Sequence, residues 1–189
     1  MNAKVDVSLS HAMHLMYPRL TILLTSIDEE GNANIITMAW SMPVSFKPPL
    51  VAVSIAPERY SHGLVMKSRE FVVNIPTMEI AKETLFCGRN SGRNVDKFKA
   101  TGLTPIPAKK VRPPLIRECM AHLECRVADY VKAGDHTIFI GEVVSITVND
   151  GIFDGRYILE KIQPILHLGG DDFTSSLDEK VTPKYPRLK

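Results

Sequence analysis

Bulky apolar residues alternate with small or hydroxyl residues along several short stretches of this chain, the pattern of strands with one packed face. Leu20–Ile27 is the first. A polar loop of hairpin length, Asp28-Glu29-Glu30-Gly31-Asn32, follows it, and Ala33–Trp40 returns as the second strand. Pro48 and Pro49 introduce a third over Leu50–Ile55, so that Ile35–Trp40 and Leu50–Ile55 flank a proline-rich crossing. In the third strand Val51, Val53 and Ile55 make one bulky face, while Ala52, Ser54 and Ala56 leave the other shallow. Thr37, Ala39 and Ser41 repeat that economy of bulk. Such a face either meets another backbone closely or leaves room for a flat ligand.

Ser61–Ser68 reads as a short helix with Leu64 and Val65 inward, and Phe71–Ile75 as a strand stopped by Pro76. Thr77 is placed to cap a helix in which Met78, Ala81 and Leu85 recur at i, i+3 and i+7, reaching about Phe86. The two-glycine loop Cys87–Arg93 then breaks it, and Thr101 to Pro114, with four prolines, reads as a surface connection. Ala121–Val131 is a strand with Leu123, Cys125 and Val127 on one side. Ala133-Gly134-Asp135 turns the chain into the longest strand, Thr137–Val148, where Gly141 marks a bulge or a close approach. Asn149-Asp150-Gly151 is a further turn. The ends read as arms: Met1 to Pro18, with Ser10 capping a short helix over His11–Met16, and a polar tail from Asp171.

No repeat or domain boundary interrupts the pattern, which predicts a single domain over 1–189 with its core at about 20–173. Many short strands with few short helices predict a mainly β fold, a closed or partly closed barrel, and the arms suit packing on a second copy. A net charge of +2 gives no basis for binding nucleic acid or an acidic membrane surface, and no apolar run approaches the ~18 residues of a membrane span. There is no signal-peptide pattern, and three cysteines make no disulfide framework, so a cytoplasmic setting is expected.

Three groups of residues could carry chemistry. Arg59-Tyr60-Ser61-His62 with Cys87–Lys97 combines the cations Arg59, Arg93 and Lys97, the hydroxyls Ser61 and Ser91, and the glycines Gly88 and Gly92, which let backbone amides approach a phosphate. The same residues also fit a solvated basic loop beside a helix cap. His136 sits where a tight turn enters the longest strand and can stack or hydrogen-bond with a ligand, or simply pair with Asp135. Cys119, His122 and Cys125 have zinc-like spacing, but residues three apart on a strand face opposite sides, so no metal site is expected. No P-loop, G-x-G-x-x-G turn or nucleophile elbow appears.

Taken together, the stretches Asn34–Ser45, Pro48–Ile55, Arg59-Tyr60-Ser61, Glu70–Pro76, Ser91–Phe98, Gly134-Asp135-His136, Gly141-Glu142-Val143 and Pro164–Phe173 resemble the flavin reductase-like family, within it the flavoredoxin-type branch. The resemblance runs from about Leu20 to Phe173. It implies an FMN-binding split β-barrel, paired as a homodimer with the flavins near the interface. Thr37, Met38, Ala39, Trp40 and Ser41 would then run along the isoalloxazine, with Ser54 and Ile55 nearby. Arg59, Ser61, His62 and Lys97 would hold the phosphate, assisted by Ser91 and Gly92, and Asn74, Cys87 and Gly88 would line the ring or ribityl chain. His62 stands where many relatives carry a hydroxyl. The Gly-Asp-His turn is associated with nicotinamide nucleotides, which makes His136 the contact for NADH or NADPH. The implied function is an oxidoreductase, with no catalytic triad of its own, passing reducing equivalents from NAD(P)H through FMN to free flavin, ferric iron or a redox partner protein. The alternative it implies is an FMN-carrying electron-transfer protein with no nucleotide site.

Overall fold

The computed structural model describes residues 3–176. After two short 3-10 turns, the first capped by Ser8 rather than Ser10, the strands β1 (Arg19–Leu20), β2 (Ile22–Ile27), β3 (Ala33–Met38), β4 (Ser41–Phe46) and β5 (Pro49–Ile55) follow in order. Helix α1 (Tyr60–Ser68) leads to β6 (Glu70–Ile75), and α2 (Ala81–Arg89) and α3 (Lys97–Thr101) come next. Short β7 (Pro105–Ile106) and β8 (Leu115–Ile116) precede the long pair β9 (Ala121–Ala133) and β10 (His136–Val148), and β11 (Leu166–Gly169) and β12 (Asp172–Thr174) end the described chain. The predicted C-terminal arm falls largely outside the described residues; its first part folds back as β12.

Seven strands form one antiparallel sheet in the order β3-β2-β6-β9-β10-β5-β4. Its two ends, β3 and β4, do not pair with each other, so the barrel is split rather than closed. Alternate residues of the curled sheet, among them Ile22, Leu24, Val53, Phe71, Val73 and Phe139, fill its inside. Outside, Leu23 and Ile35 pack with Cys87, Leu103, Ile116 and Cys119 under α2 and α3. With both faces covered, β2 is buried over Ile22–Ser26 and reads as a nearly continuous apolar run. Among the described residues, no helix is long and apolar enough to cross a membrane.

Three expectations need correcting. The crossing between the second and third predicted strands is itself a strand, β4. It tolerates Pro43 because it lies at the sheet edge, hydrogen-bonded only to β5, and it bulges between Pro43 and Ser45. Helix α2 runs through Cys87 and Gly88 to Arg89, because Thr84 and Cys87 are fully buried and that packing sustains turns which local propensity would break. It starts at Ala81, after a 3-10 turn, and Thr77 makes no side-chain cap. The proline-rich segment is not a mere surface connection: β7 pairs with β8, Leu103 and Val111 are buried, and the amides of Lys109 and Lys110 donate to the carboxylate of buried Glu124.

Gly141 is both things its position suggested. The register shifts beside it, and a Cβ there would lie 2.5 Å from Phe71 Cζ and 3.1 Å from Cys125 Cβ. Gly141→Ala is therefore expected to overpack the barrel and cost about 1–3 kcal/mol, read in a denaturant titration as a lower midpoint with an unchanged slope.

Candidate functional site

A cavity of about 540 Å³ opens where β3, β5, the start of α1 and α2 converge. One wall comes from β3 and the residues after it: Asn34, Ile36, Thr37, Met38, Ala39 and Trp40. The facing wall is Ser54, Ile55 and Ala56, where the small side chains of the alternation leave the space open. At one end Arg59, Tyr60 and Ser61 begin α1, whose first amides have no partner within the helix and favour an anion. Across from them stand Thr84, Cys87 and Gly88 of α2, then Ser91, Gly92 and Arg93 of the loop after it, and Lys97 of α3. Gly88 lets α2 press on β3, since a Cβ there would sit 3.2 Å from Thr37 Cβ. Thr37 Oγ1 in turn donates to Thr84 O at 2.5 Å.

Lys97 is the electrostatic centre of the basic end. It is 4% exposed, and its Nζ donates to Ile35 O at 2.6 Å and Cys87 O at 2.7 Å. Two carbonyls orient the ammonium, and no carboxylate pairs with it among the described residues. Burial pulls its pKa down to about 8, partly countered by the Cys87 thiol. Burial likewise pushes the Cys87 thiol up to about 11, and those of Cys119 and Cys125 still higher. All three are free, buried and protonated at neutral pH, without thiolate reactivity.

Seven buried side-chain polar atoms among the described residues lack a partner, and four of them, on Thr21, Asn34, Thr84 and His167, belong to residues lining this cavity. Buried polar atoms are normally paired, so this gathering of unpartnered groups around one cavity marks it as a candidate ligand site. Tyr17, His167 and Phe173 come from the three-stranded sheet β1-β11-β12, with the Tyr17 and His167 rings 5.1 Å apart edge to face. His136 also lines the cavity. Its Nδ1 donates to Asp135 Oδ1 at 2.7 Å, holding that carboxyl below its usual pKa, and its ring lies 4.8 Å from Trp40.

Fourteen of the seventeen residues expected from the sequence thus line one cavity, and Ser41, His62 and Asn74 do not. Ser41 opens the edge strand β4. His62 turns away, its Nε2 2.9 Å from Thr137 Oγ1 and its ring edge-on to Phe139, and burial lowers its pKa. Asn74 is a fully buried core tie: its Nδ2 donates to Leu23 O at 2.9 Å, and its Oδ1 accepts from Ile116 N at 3.0 Å. Cys119, His122 and Cys125 form no metal cluster among the described residues; His122 bonds Thr147 Oγ1 and Ile116 O instead. Sequence reading missed Asn34, Thr84, Tyr17, His167 and Phe173 as site residues. Asn34 and Ser61, joined at 2.7 Å, are 27 residues apart, and no periodicity links such pairs.

Residues 13–170 match the family described as flavin reductase like domain. An uncharacterized protein of Archaeoglobus fulgidus is 38% identical over 172 residues, spanning 90% of this chain and 96% of its own. An NADH-dependent FAD reductase of Streptomyces globisporus is 31% identical over 107 residues, 55% of this chain and 57% of that protein. Among solved structures, an FMN-binding protein from Thermus thermophilus with bound p-hydroxybenzaldehyde superposes with a TM-score of 0.84 at 26% identity, covering 97% of this chain and all 100% of that one. This chain, with its split barrel and a cavity lined by the residues that carry the likeness, belongs to the flavin reductase-like family.

Proposed function

We propose that this protein binds FMN non-covalently in the cavity and passes reducing equivalents from NADH or NADPH through it to an acceptor. The observation that carries this reading is the convergence of four unpartnered buried polar atoms and one buried, unpaired ammonium on a cavity with a shallow wall. The residues fit the group. Ala39, Ser54 and Ala56 leave room for a planar ring beside β3 and β5, and the backbone from Thr37 to Trp40, which lines the same cavity, would run along it. Lys97, Arg59, Ser61, Ser91 and Gly92, which line the cavity's basic end, would hold the phosphate, and the α1 amides would add their own attraction for an anion. Flavin, when bound, supplies the hydride and electron chemistry; the protein supplies position, charge and exclusion of water.

At the other side of the cavity, the ring of His136 beside Trp40 offers a surface for the nicotinamide nucleotide, as the similarity to an NADH-dependent reductase also suggests. The Asp135 carboxylate fixes the imidazole with its proton on Nδ1 and leaves Nε2 for the nucleotide. A homodimer accompanies this reading. Val5, Val7 and Leu9 are exposed at alternate positions of the N-terminal arm, and Met42, Val44 and Phe46 at alternate positions of the edge strand β4, so a second copy would cover both. Free buried thiols suit a reducing compartment such as the cytoplasm.

The visible spectrum of the purified protein, reconstituted with FMN and mixed anaerobically with NADH or NADPH, tests the proposal. Flavin bands that bleach with a nicotinamide nucleotide support it. Bleaching by dithionite alone points instead to an electron carrier fed by a partner protein, and failure to hold FMN overturns the reading. His136→Ala is expected to raise the KM for the nucleotide about tenfold with FMN still bound, and unchanged nucleotide kinetics would remove His136 from that role.

A further inference from the structure

The hairpin of β11 and β12 supplies one side of the cavity with His167, Gly170 and Phe173. It is held very differently at its two ends. Its root is fixed in the body of the protein. Ile165 is fully buried, its amide donates to Pro76 O at 3.3 Å, and its carbonyl accepts from the Thr21 amide at 2.9 Å. Pro164 bridges to Thr77 beside it.

Beyond that root the hold weakens. No residue from Leu166 to Thr174 is buried, and on its outer side β11 pairs only with the two residues of β1, Arg19 and Leu20. At the tip Gly169 and Gly170 take φ values of 122° and 59°, and the register slips between His167 and Gly169. His167 Nε2 donates to Gly170 O at 3.2 Å, a bond internal to the hairpin. Asp171 stands in the turn, and there Arg89, the last residue of α2, reaches across to it. Arg89 Nε donates to Asp171 Oδ1 at 2.6 Å, and Nη2 donates to the same oxygen. Among the described residues this is the one side-chain hydrogen bond or ion pair that joins Leu166–Thr174 to anything outside the small sheet. Both side chains are more than half exposed, at 58% and 60%, so the pair shifts an opening equilibrium by a factor of only about 1.5 to 5. A segment with a buried root, an unburied span and a weakly held tip is the kind that opens locally while the rest stays folded.

Building on the proposed flavin site, we infer that the β11–β12 hairpin is a flap over the cavity, hinged at Pro164 and Ile165 and latched at its tip by Asp171 on Arg89, and that flavin enters and leaves through the opened flap. Arg89 and Asp171 are then positioning residues that set how long a flavin stays. Asp171 does not line the cavity. A latch outside the ligand's place holds the flap equally in the free and the loaded protein, so its loss speeds entry and exit alike and leaves the affinity between them unchanged.

Flavin fluorescence after rapid mixing of FMN with the flavin-free protein, and after rapid dilution of the complex, tests this. In Asp171→Asn both the entry and the release rates are expected to rise about threefold, the scale of one exposed ion pair, with Kd within twofold of wild type. Asp171→Glu keeps the carboxylate and should keep the wild-type rates. Unchanged rates in Asp171→Asn overturn the latch. A faster release without faster entry also overturns it, because the weaker affinity would place the effect of Asp171 on the bound flavin. Both results leave the flavin reading standing. Failure of the folded wild-type protein to bind FMN overturns the flap and the flavin reading together.

Discussion

Replacing Lys97 with methionine is expected to lower FMN affinity by about tenfold to a hundredfold and to leave riboflavin, which has no phosphate, within about twofold of wild type. The ammonium is buried and held by two carbonyls, with no carboxylate to neutralise it among the described residues. An anionic group in the cavity is the natural counter-charge, and a charge-assisted contact in a desolvated site is the strong kind. Methionine keeps the length and loses the charge. The same group sets a pH dependence. Its pKa is held at about 8 in the folded protein against 10.5 for an ordinary lysine. FMN affinity should therefore decline as pH rises through about 8 and beyond, and this decline should vanish in Lys97→Met. Without ligand the sign reverses. Between about pH 8 and 10.5 the unfolded chain binds more protons at this group than the folded one, so its contribution to stability rises with pH across that window. Flavin titrations at several pH values, paired with melting curves of the ligand-free protein, check both halves. Equal losses for FMN and riboflavin would mean that Lys97 acts on the fold rather than on the phosphate.

Asn74→Leu should show the opposite division of effects. The side chain ties β2 to β8 through Leu23 O and the Ile116 amide. Leucine is of similar size but leaves that amide and carbonyl without their partner in a fully buried place. About 2–4 kcal/mol is expected from two such losses, which in a chain of this size is a fall in Tm of roughly 4–16 °C. Flavin affinity measured well below the transition should stay within about twofold of wild type, because Asn74 is outside the cavity. A variant with normal melting and lost flavin binding would restore Asn74 to the ligand and refute its role as a core tie.

These two residues show why only part of the site was legible. Lys97 sits in a polar, glycine-bearing stretch whose composition already suggests phosphate, and its cation in the cavity is consistent with that. Asn74 and His62 stand in equally suggestive motifs, yet their side chains turn to Leu23 O and Thr137 Oγ1. A motif names the residue; the local backbone decides the face. Strand alternation did mark Ala52, Ser54 and Ala56 as a shallow face, because a period of two is a local property. The strand β4 escaped because its edge position leaves Met42, Val44 and Phe46 in the open, so burial writes no pattern into it.

From the sequence alone came the strand-rich class, the polar turns, the tight place at Gly141, the family likeness and the composition of a phosphate-binding loop. Each rests on short-range rules: side-chain period, turn chemistry and the steric freedom of glycine. Only the tertiary structure joined Asn34 to Ser61, carried α2 past Gly88, laid the Tyr17 and His167 rings at the cavity, and brought Asp171 to Arg89. Those features come from contacts between segments far apart in the chain, and their energies depend on which faces the sheet buries together, a choice that no local pattern encodes.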